Sequence, residues 1–117
     1  MSGKAIDDLQ LALREFARDR DWDQFHSPKN LATALIVEAA ELLEPFQWMK
    51  SGERADLSAA QREHVALEMA DVFLYLIRLA DKLGIDLLQE AQRKLELNAV
   101  KYPAVLVRGS SKKYTEL

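Results

Sequence analysis

Two pairs of acidic residues have the spacing of ligands on one face of a helix. Glu38 and Glu41 interrupt the otherwise apolar stretch 31–43, and Glu68 and Asp71 repeat their spacing further along the chain. Residues at i and i+3 share a helix face. Carboxylates on an apolar helix are costly to desolvate unless a cation meets them or they are protonated. The first pair therefore predicts a site for a cation.

All four carboxylates share one site if the two helices are antiparallel neighbours. At ~4 Å and an effective dielectric of ~20, each like-charged pair repels by roughly 4 kcal/mol, so the cluster requires bound cations or protonated members. The ligands are hard oxygens, and the sequence has no cysteine and no Glu-x-x-His pair. This set favours Mg²⁺ or Mn²⁺ over Zn²⁺ or a di-iron centre. For Glu68 and Asp71, a solvated polar helix face is the alternative.

Aromatic and basic residues near these pairs could bind a nucleotide. Trp22 lies in a polar loop and Trp48 at a helix end, where an aromatic ring can stack on a planar base. The last predicted helix carries two cations and two hydrogen-bond donors on neighbouring turns: Lys94, Asn98, Lys101 and Tyr102. They predict phosphate contacts, with a solvated basic helix end as the alternative.

Helical periodicity predicts four helices that position these groups. They run from Ile6 to about Arg20, from Pro28 towards Trp48, from Ser58 to about Leu83, and from Asp86 to the Tyr102-Pro103 boundary. On the third helix, an apolar stripe is expected to face the core: Val65, Met69, Val72, Leu76, Leu79 and Leu83. Residues 104–117 have no strong period and are predicted to be extended. The prediction is one all-α domain over 1–117, a four-helix bundle.

Composition limits the functional classes. The chain has 117 residues, 49% of them hydrophobic, with a formal charge of −3. This charge gives no general attraction for a nucleic-acid backbone. The most apolar stretch is interrupted by acids before it reaches membrane-spanning length, and no export signal is visible. We therefore expect a soluble cytoplasmic protein with neither nucleic acid nor a membrane as partner.

The motifs resemble those of the MazG-like all-α nucleoside triphosphate pyrophosphohydrolases. The acid pairs match the superfamily. Segments that look like its dCTP pyrophosphatase branch are 20–26 (Arg-Asp-Trp-Asp-Gln-Phe-His), 46–48 (Phe-Gln-Trp), 71–76, Lys94 with Asn98, Tyr102-Pro103, and the tail 110–117 ending Lys-Tyr-Thr-Glu-Leu. The resemblance covers nearly the whole chain.

This resemblance implies Mg²⁺-dependent hydrolysis of a deoxynucleoside triphosphate, dCTP or a modified dCTP, to the monophosphate and pyrophosphate. Carried over by position, Glu38, Glu41, Glu68 and Asp71 hold the metal, Trp22 and Trp48 flank the base, and Tyr75, Lys94, Asn98 and Tyr102 contact sugar or phosphates. Relatives assemble as dimers or tetramers. One departure from the pattern is Leu13, where vertebrate relatives have a histidine near the base, and it leaves the choice of pyrimidine open.

The catalytic roles and two alternatives stay open at this point. Glu41 or Glu44 is the candidate general base, and Lys94 with Lys101 could stabilise transition-state charge. The same site could instead act on dUTP or another non-standard nucleotide. A non-catalytic helical interaction module is the alternative from a different class.

Overall fold

The computed structural model describes residues 3–116, which form helices without any strand. The helices are α1 (Gly3–Asp19), α2 (Pro28–Leu43), α3 (Ala59–Leu83), α4 (Leu87–Lys101) and the single turn α5 (Ala104–Val107). Short 3₁₀ turns cover Asp23–Phe25, Glu44–Phe46, Arg54–Asp56 and Tyr114–Glu116. The predicted all-α class is confirmed. The chain divides into two compact units, with the boundary between Gly84 and Ile85.

The end of α1 directs the aromatic turn at residues 22–25. Asp21 adopts a left-handed conformation with φ 54°, and the Trp22 N–H donates to the Ala17 carbonyl at 2.8 Å while the Asp21 N–H donates to Arg18. This pair of bonds is a Schellman motif, which ends a helix and reverses the chain. Aspartate tolerates the left-handed region better than most residues. The motif fixes where Trp22 leaves α1.

α2 begins as the sequence predicts and ends earlier. The Ser27 hydroxyl accepts from the Asn30 N–H at 3.2 Å, and Pro28 occupies the first turn. The helix was expected to continue towards Trp48, but it stops at Leu43, and a 3₁₀ turn follows. Pro45 explains the early end, because proline lacks the N–H that an α-helix requires there and its ring clashes with the preceding turn.

α3 is the longest element of the first unit and packs against both α1 and α2. A reciprocal capping box of Ser58 and Gln61 begins it, and Gly84 ends it at φ 66°. The buried apolar residues are small in number among residues 3–116: Ala17, Leu31, Ile77 and Ala80. α3 is therefore the element against which the rest of this unit is positioned.

The predicted core stripe of α3 is wrong in part. Met69, Leu76 and Leu83 are 57%, 36% and 52% exposed, whereas Arg78, a charged residue outside the predicted stripe, is 5% exposed. Burial of Arg78 is possible because its charge is paired, as described below. The apolar pattern of α3 therefore does not by itself predict which of its residues are buried within this chain.

The second unit begins with the N-cap of α4, where the Asp86 carboxylate accepts from the Gln89 N–H at 3.1 Å. Tyr102 ends α4, and its ring meets the Tyr114 ring edge-on at 6.1 Å. The segment predicted to be extended contains two single helical turns, α5 and Tyr114–Glu116, with turns and irregular backbone between them. Leu117 lies outside the described residues, and the single-domain assignment stays a prediction.

Within residues 3–116, none of the helices combines the length and apolarity that crossing a membrane would require.

Candidate active site

Three of the four predicted acidic ligands meet between α2 and α3. Glu38 and Glu41 of α2 and Glu68 of α3 each place one carboxylate oxygen within 4.8 Å of the other two. All three side chains are half-buried. We call these three residues the acid cluster. The i, i+3 spacing on α2 produces it, because both carboxylates emerge on the side that faces α3.

The acid cluster is electrostatically uncompensated. Glu38 Oε2 and Glu68 Oε2 are buried and have no hydrogen-bond partner. Burial, followed by the neighbouring carboxyl groups of Glu68 and Glu41, raises the pKa of Glu38 to about 7. Among residues 3–116, no lysine or arginine forms an ion pair with the cluster; the nearest basic atom is Nε2 of His64, 4.0 Å from Glu68.

These residues fit a divalent cation. Ionised carboxylates are acceptors only, so they cannot satisfy one another's lone pairs. Buried acceptors without a donor are costly, and a hard cation that takes several oxygen ligands would remove the cost. The two orphaned oxygens thus fit a site for a divalent metal ion with oxygen ligands.

Asp71 lies beside the acid cluster but does not belong to its three-oxygen group. Its side chain is exposed, its charge contributes to the raised pKa of Glu38, and it lines a neighbouring cavity. Tyr75, one turn further along α3, lines the same cavity. Burial, then the charges of Glu38 and Asp71, raises the pKa of the Tyr75 phenol, which keeps it a hydrogen-bond donor. Asp71 and Tyr75 thus connect the acids to the cavity.

The cavity has a volume of about 420 Å³ and lies between α1, α3 and the aromatic turn. Apolar residues form most of its wall: Leu9, Ala12, Leu13, Phe16, Trp22 and Leu74. The Trp22 ring meets Phe16 edge-on, with centroids 5.9 Å apart. Leu9, Leu13 and Phe16 follow a helical period that is typical of core packing, and yet they line this open cavity. A flat aromatic ligand is the chemistry that such a wall favours.

A charged network that the sequence did not predict adjoins the cavity through Arg78 and His26. The Asp23 carboxylate accepts from Arg78 and from Lys82, both at 2.6 Å, and Arg78 also donates to His26 at 3.3 Å. Asp81 accepts two bonds from Arg14, at 2.6 and 2.7 Å. The only sequence signal was the regular placement of Arg78 and Lys82 on α3. Their partner, Asp23, lies more than fifty residues away.

The remaining predicted site residues are Trp48 and Glu44 of the first unit and a group on α4 of the second unit. Trp48 is 90% exposed and does not line the cavity, and Glu44 is exposed in the 3₁₀ turn after α2. The predicted phosphate-binding group, Lys94, Asn98, Lys101 and Tyr102, is carried by the end of α4 in the second unit. There the Lys101 ammonium lies 5.1 Å above the Tyr114 ring.

Known proteins resemble this chain in sequence and in structure. The sequence profile of the MazG-like family matches residues 34–117. Human dCTP pyrophosphatase 1 is 45% identical over 114 residues, covering 96% of this chain and 67% of that protein, and the bovine dCTP pyrophosphatase 1 is 42% identical over 99% of this chain and 70% of its own length. A pyrophosphatase from Archaeoglobus fulgidus has a similar structure, with a TM-score of 0.79 and 41% identity over 85% of this chain and 93% of its own.

The family match includes both acid pairs, and the similarity to the human and bovine proteins extends over nearly the entire sequence. The resemblance inferred from the motifs is thus confirmed, and the chain belongs to the MazG-like family.

Proposed function

We propose that this protein is a metal-dependent hydrolase that converts dCTP, or a modified dCTP, to dCMP and pyrophosphate. One observation carries the proposal: an uncompensated acid cluster and an aromatic cavity share α3, with Asp71 and Tyr75 between them. The names of the human and bovine relatives, dCTP pyrophosphatase 1, support the substrate and the bond.

Four carboxylates would hold the divalent metal: the acid cluster and Asp71. Mg²⁺ is the proposed ion and Mn²⁺ a possible substitute, because both prefer hard oxygen ligands. When bound, such an ion neutralises triphosphate charge, polarises the attacked phosphoryl group and lowers the pKa of a coordinated water. The protein's own part is to hold the carboxylates at a spacing that they would not otherwise tolerate.

Proton removal from the attacking water requires a carboxylate base. Glu41 lies within the acid cluster, and Glu44 lies three residues further on, exposed in the 3₁₀ turn after α2. Either carboxylate can accept the proton of the water. Glu41 would do so as a metal ligand, and Glu44 as a residue that does not bind the metal.

The base is proposed to enter the aromatic cavity, with Trp22 and Trp48 flanking it and the Tyr75 hydroxyl donating a hydrogen bond to the nucleotide. Trp22 already forms part of the wall. Trp48 is exposed enough to cover a ligand. Lys94, Asn98, Lys101 and Tyr102 would contact the sugar or phosphates, and the two lysines would stabilise negative charge that develops in the transition state.

We propose further that copies of the chain assemble into a homodimer or homotetramer. Met69, Leu76 and Leu83 are seven residues apart on α3 and therefore share one stripe, and each is more than a third exposed. Exposed apolar stripes of this kind are typical of subunit interfaces. Analytical ultracentrifugation tests the assembly: a monomer at micromolar concentration would contradict it, and Met69→Glu is expected to weaken a dimer or tetramer.

A screen of dNTPs for pyrophosphate release tests the proposed reaction. Purified protein with Mg²⁺ is incubated with dCTP, 5-methyl-dCTP, dUTP, dTTP, dATP and dGTP, and the products are separated by ion-exchange chromatography. The proposal expects dCMP and pyrophosphate, with no dCDP and no free phosphate. Preference for dUTP would move the assignment to another pyrimidine nucleotide, and no turnover of any dNTP would favour a non-catalytic interaction module.

A further inference from the structure

His26 occupies a position in the cavity wall that fixes its hydrogen-bonding state. Its Nδ1 accepts a hydrogen bond from the Arg78 Nε–H at 3.3 Å. A neutral imidazole has one donor and one acceptor nitrogen, so an accepting Nδ1 places the ring proton on Nε2. His26 is half-buried and lines the cavity with Trp22 and Tyr75.

Arg78 is held firmly enough to impose this tautomer. The residue is 5% exposed, and a second nitrogen of its guanidinium group donates to the Asp23 carboxylate at 2.6 Å. Asp81 lies 3.6 Å from its third nitrogen. A planar guanidinium that binds through several of its nitrogens cannot turn its Nε–H away from one partner without losing the others.

The neutral form of the imidazole is also favoured. Burial, followed by the positive charges of Arg78 and Lys82, lowers the pKa of His26, and the Asp23 carboxylate opposes this effect only in part. These are the charged groups that face the ring from α3 and from its own turn. The imidazole is thus a neutral donor, with Nε2–H as its donating group.

Within residues 3–116, the His26 side chain makes a single hydrogen bond, the one that Nδ1 accepts from Arg78, so Nε2 is left for a ligand. The wall around it is mainly apolar, so a ligand that fills the cavity would remove water from this group, and a donor without an acceptor would cost binding free energy. A pyrimidine base presents ring acceptors at its edge. We propose that His26 donates its Nε2–H to O2 or N3 of a cytosine base bound in this cavity, and that Arg78 is the positioning residue that fixes the donating tautomer.

This inference rests on the proposed function, because it requires a nucleotide base in the cavity. It goes beyond that function by giving a substrate contact to His26 and a positioning role to Arg78, which acts only through His26. Neither residue belongs to the acid cluster or to its proposed metal ligands.

A matched pair of substitutions separates a substrate contact from a structural role. His26→Gln places an amide where Nε2 was and can still donate to the base, whereas His26→Asn keeps an acceptor near Nδ1 for Arg78 and loses the donor. We expect KM for dCTP to rise about 3- to 10-fold in His26→Asn, the loss of one hydrogen bond, with kcat nearly unchanged and partial recovery in His26→Gln. A wild-type KM in His26→Asn, or equal impairment of both variants, would overturn the contact.

The role of Arg78 has a readout that does not depend on turnover. In ¹⁵N-histidine-labelled protein, long-range ¹H–¹⁵N spectra distinguish the two imidazole tautomers, and His64→Gln assigns the signals because the chain has only two histidines. We expect the Nε2–H tautomer in the wild type and a mixture in Arg78→Met. An Nδ1–H tautomer in the wild type, or an unchanged tautomer in a folded Arg78→Met, would overturn the positioning role.

The two proposals fail in distinguishable ways. Wild-type protein that hydrolyses dCTP, together with His26→Asn that keeps the wild-type KM, would contradict the inference about His26 alone. Wild-type protein that hydrolyses no dNTP would contradict the proposed function. If Arg78→Met does not fold, the tautomer of the wild type and the KM values of His26→Asn and His26→Gln still test the proposal.

Discussion

Two groups of charged side chains meet α3, and they are built in opposite ways. The acid cluster joins three half-buried carboxylates without a lysine or arginine partner among residues 3–116. Nearer the end of α3 lies a second group, the paired network, which consists of Arg14, Asp23, Arg78, Asp81 and Lys82. In the paired network, each carboxylate accepts from at least one cation at 2.6 Å.

The pKa shifts of the two groups have opposite signs. Hydrogen bonds from Lys82 and Arg78 lower the pKa of Asp23, and a hydrogen bond from Arg14 lowers that of Asp81. Burial and like charges raise the pKa of Glu38 to about 7. At one end of α3 the acids are paired with basic side chains, whereas the acid cluster has no such partner. Unpaired acids with raised pKa values are typical of sites where a ligand supplies the cation. The comparison therefore supports the proposal that the acid cluster binds the metal, whereas the paired network stabilises the fold.

Removing one carboxylate of the acid cluster should have the largest effect. Glu38→Gln keeps the shape of the side chain but deletes one proposed metal ligand, and we expect kcat/KM for dCTP to fall on the order of 100-fold or more, since even groups that only orient metal ligands cost 10- to 100-fold when lost. Pyrophosphate release at saturating Mg²⁺ measures this loss.

Glu63→Gln is the matched control for Glu38→Gln. It makes the same chemical change on α3, at an exposed residue outside both charged groups. Its kcat/KM should stay within about 2-fold of the wild type, as is typical of surface substitutions. Near-normal turnover by Glu38→Gln would contradict the assignment of the acid cluster to catalysis.

The metal-free protein should lose thermal stability as pH rises between about 5 and 7. Glu38 has a folded-state pKa of about 7 against an ordinary value of 4.5. The folded state therefore binds the proton more tightly, and the stability that this gives is present below the ordinary pKa and lost as pH rises through the folded value. Thermal unfolding in EDTA, followed between pH 5 and pH 8, measures the slope.

Mg²⁺ should reverse that slope, because a cation favours the ionised carboxylates. At a free concentration 100-fold above Kd, binding to the folded state alone adds about 2.7 kcal/mol. In Glu38→Gln, both the slope in EDTA and the gain with Mg²⁺ should shrink. A melting temperature that does not respond to Mg²⁺ or Mn²⁺ would count against a metal site.

Breaking the paired network should lower stability moderately and leave the metal site intact. In Arg14→Gln, Asp81 loses the bidentate partner that lowers its pKa. The stability that this pair gives is present above the ordinary pKa of aspartate and is lost as pH falls through the lower folded value. We expect the melting temperature to fall by roughly 2–5 °C at pH 7, and by less near pH 3, with unchanged Mg²⁺ affinity. A change in Mg²⁺ affinity would mean that the two groups are not independent.

The two charged groups also differ in how far the sequence predicts them. The i, i+3 spacing of Glu38 and Glu41 on an apolar stretch was enough to infer a cation site, because helix geometry alone puts both side chains on one face. Burial of Arg78 could not be inferred, since its partner Asp23 is 55 residues away and only the tertiary structure brings them together. Helix caps are also predictable from the sequence, because they depend on local interactions. Ser27 and Ser58 accept hydrogen bonds from the first turns of α2 and α3, and Gly84 adopts the left-handed conformation that ends α3.

The exposed apolar residues of α3 show a second limit of prediction from sequence, which concerns burial. Met69, Leu76 and Leu83 have the periodicity of a core stripe, and yet they are exposed in this chain. Periodicity indicates which apolar residues share a helix face, but it does not show whether that face is covered in the folded chain. The α1 side of the cavity has the same ambiguity, because Leu13 and Phe16 have the pattern of core residues and line an open cavity.

The smallest effect is expected at His64, the basic residue nearest to the acid cluster. Its Nε2 lies 4.0 Å from Glu68, and the side chain is half exposed, so the interaction is weak. Titration of His64→Gln with Mg²⁺ should give an affinity within about 2-fold of the wild type. A larger loss of affinity would instead make His64 a metal ligand, and the acid cluster would no longer be a site of oxygen ligands alone.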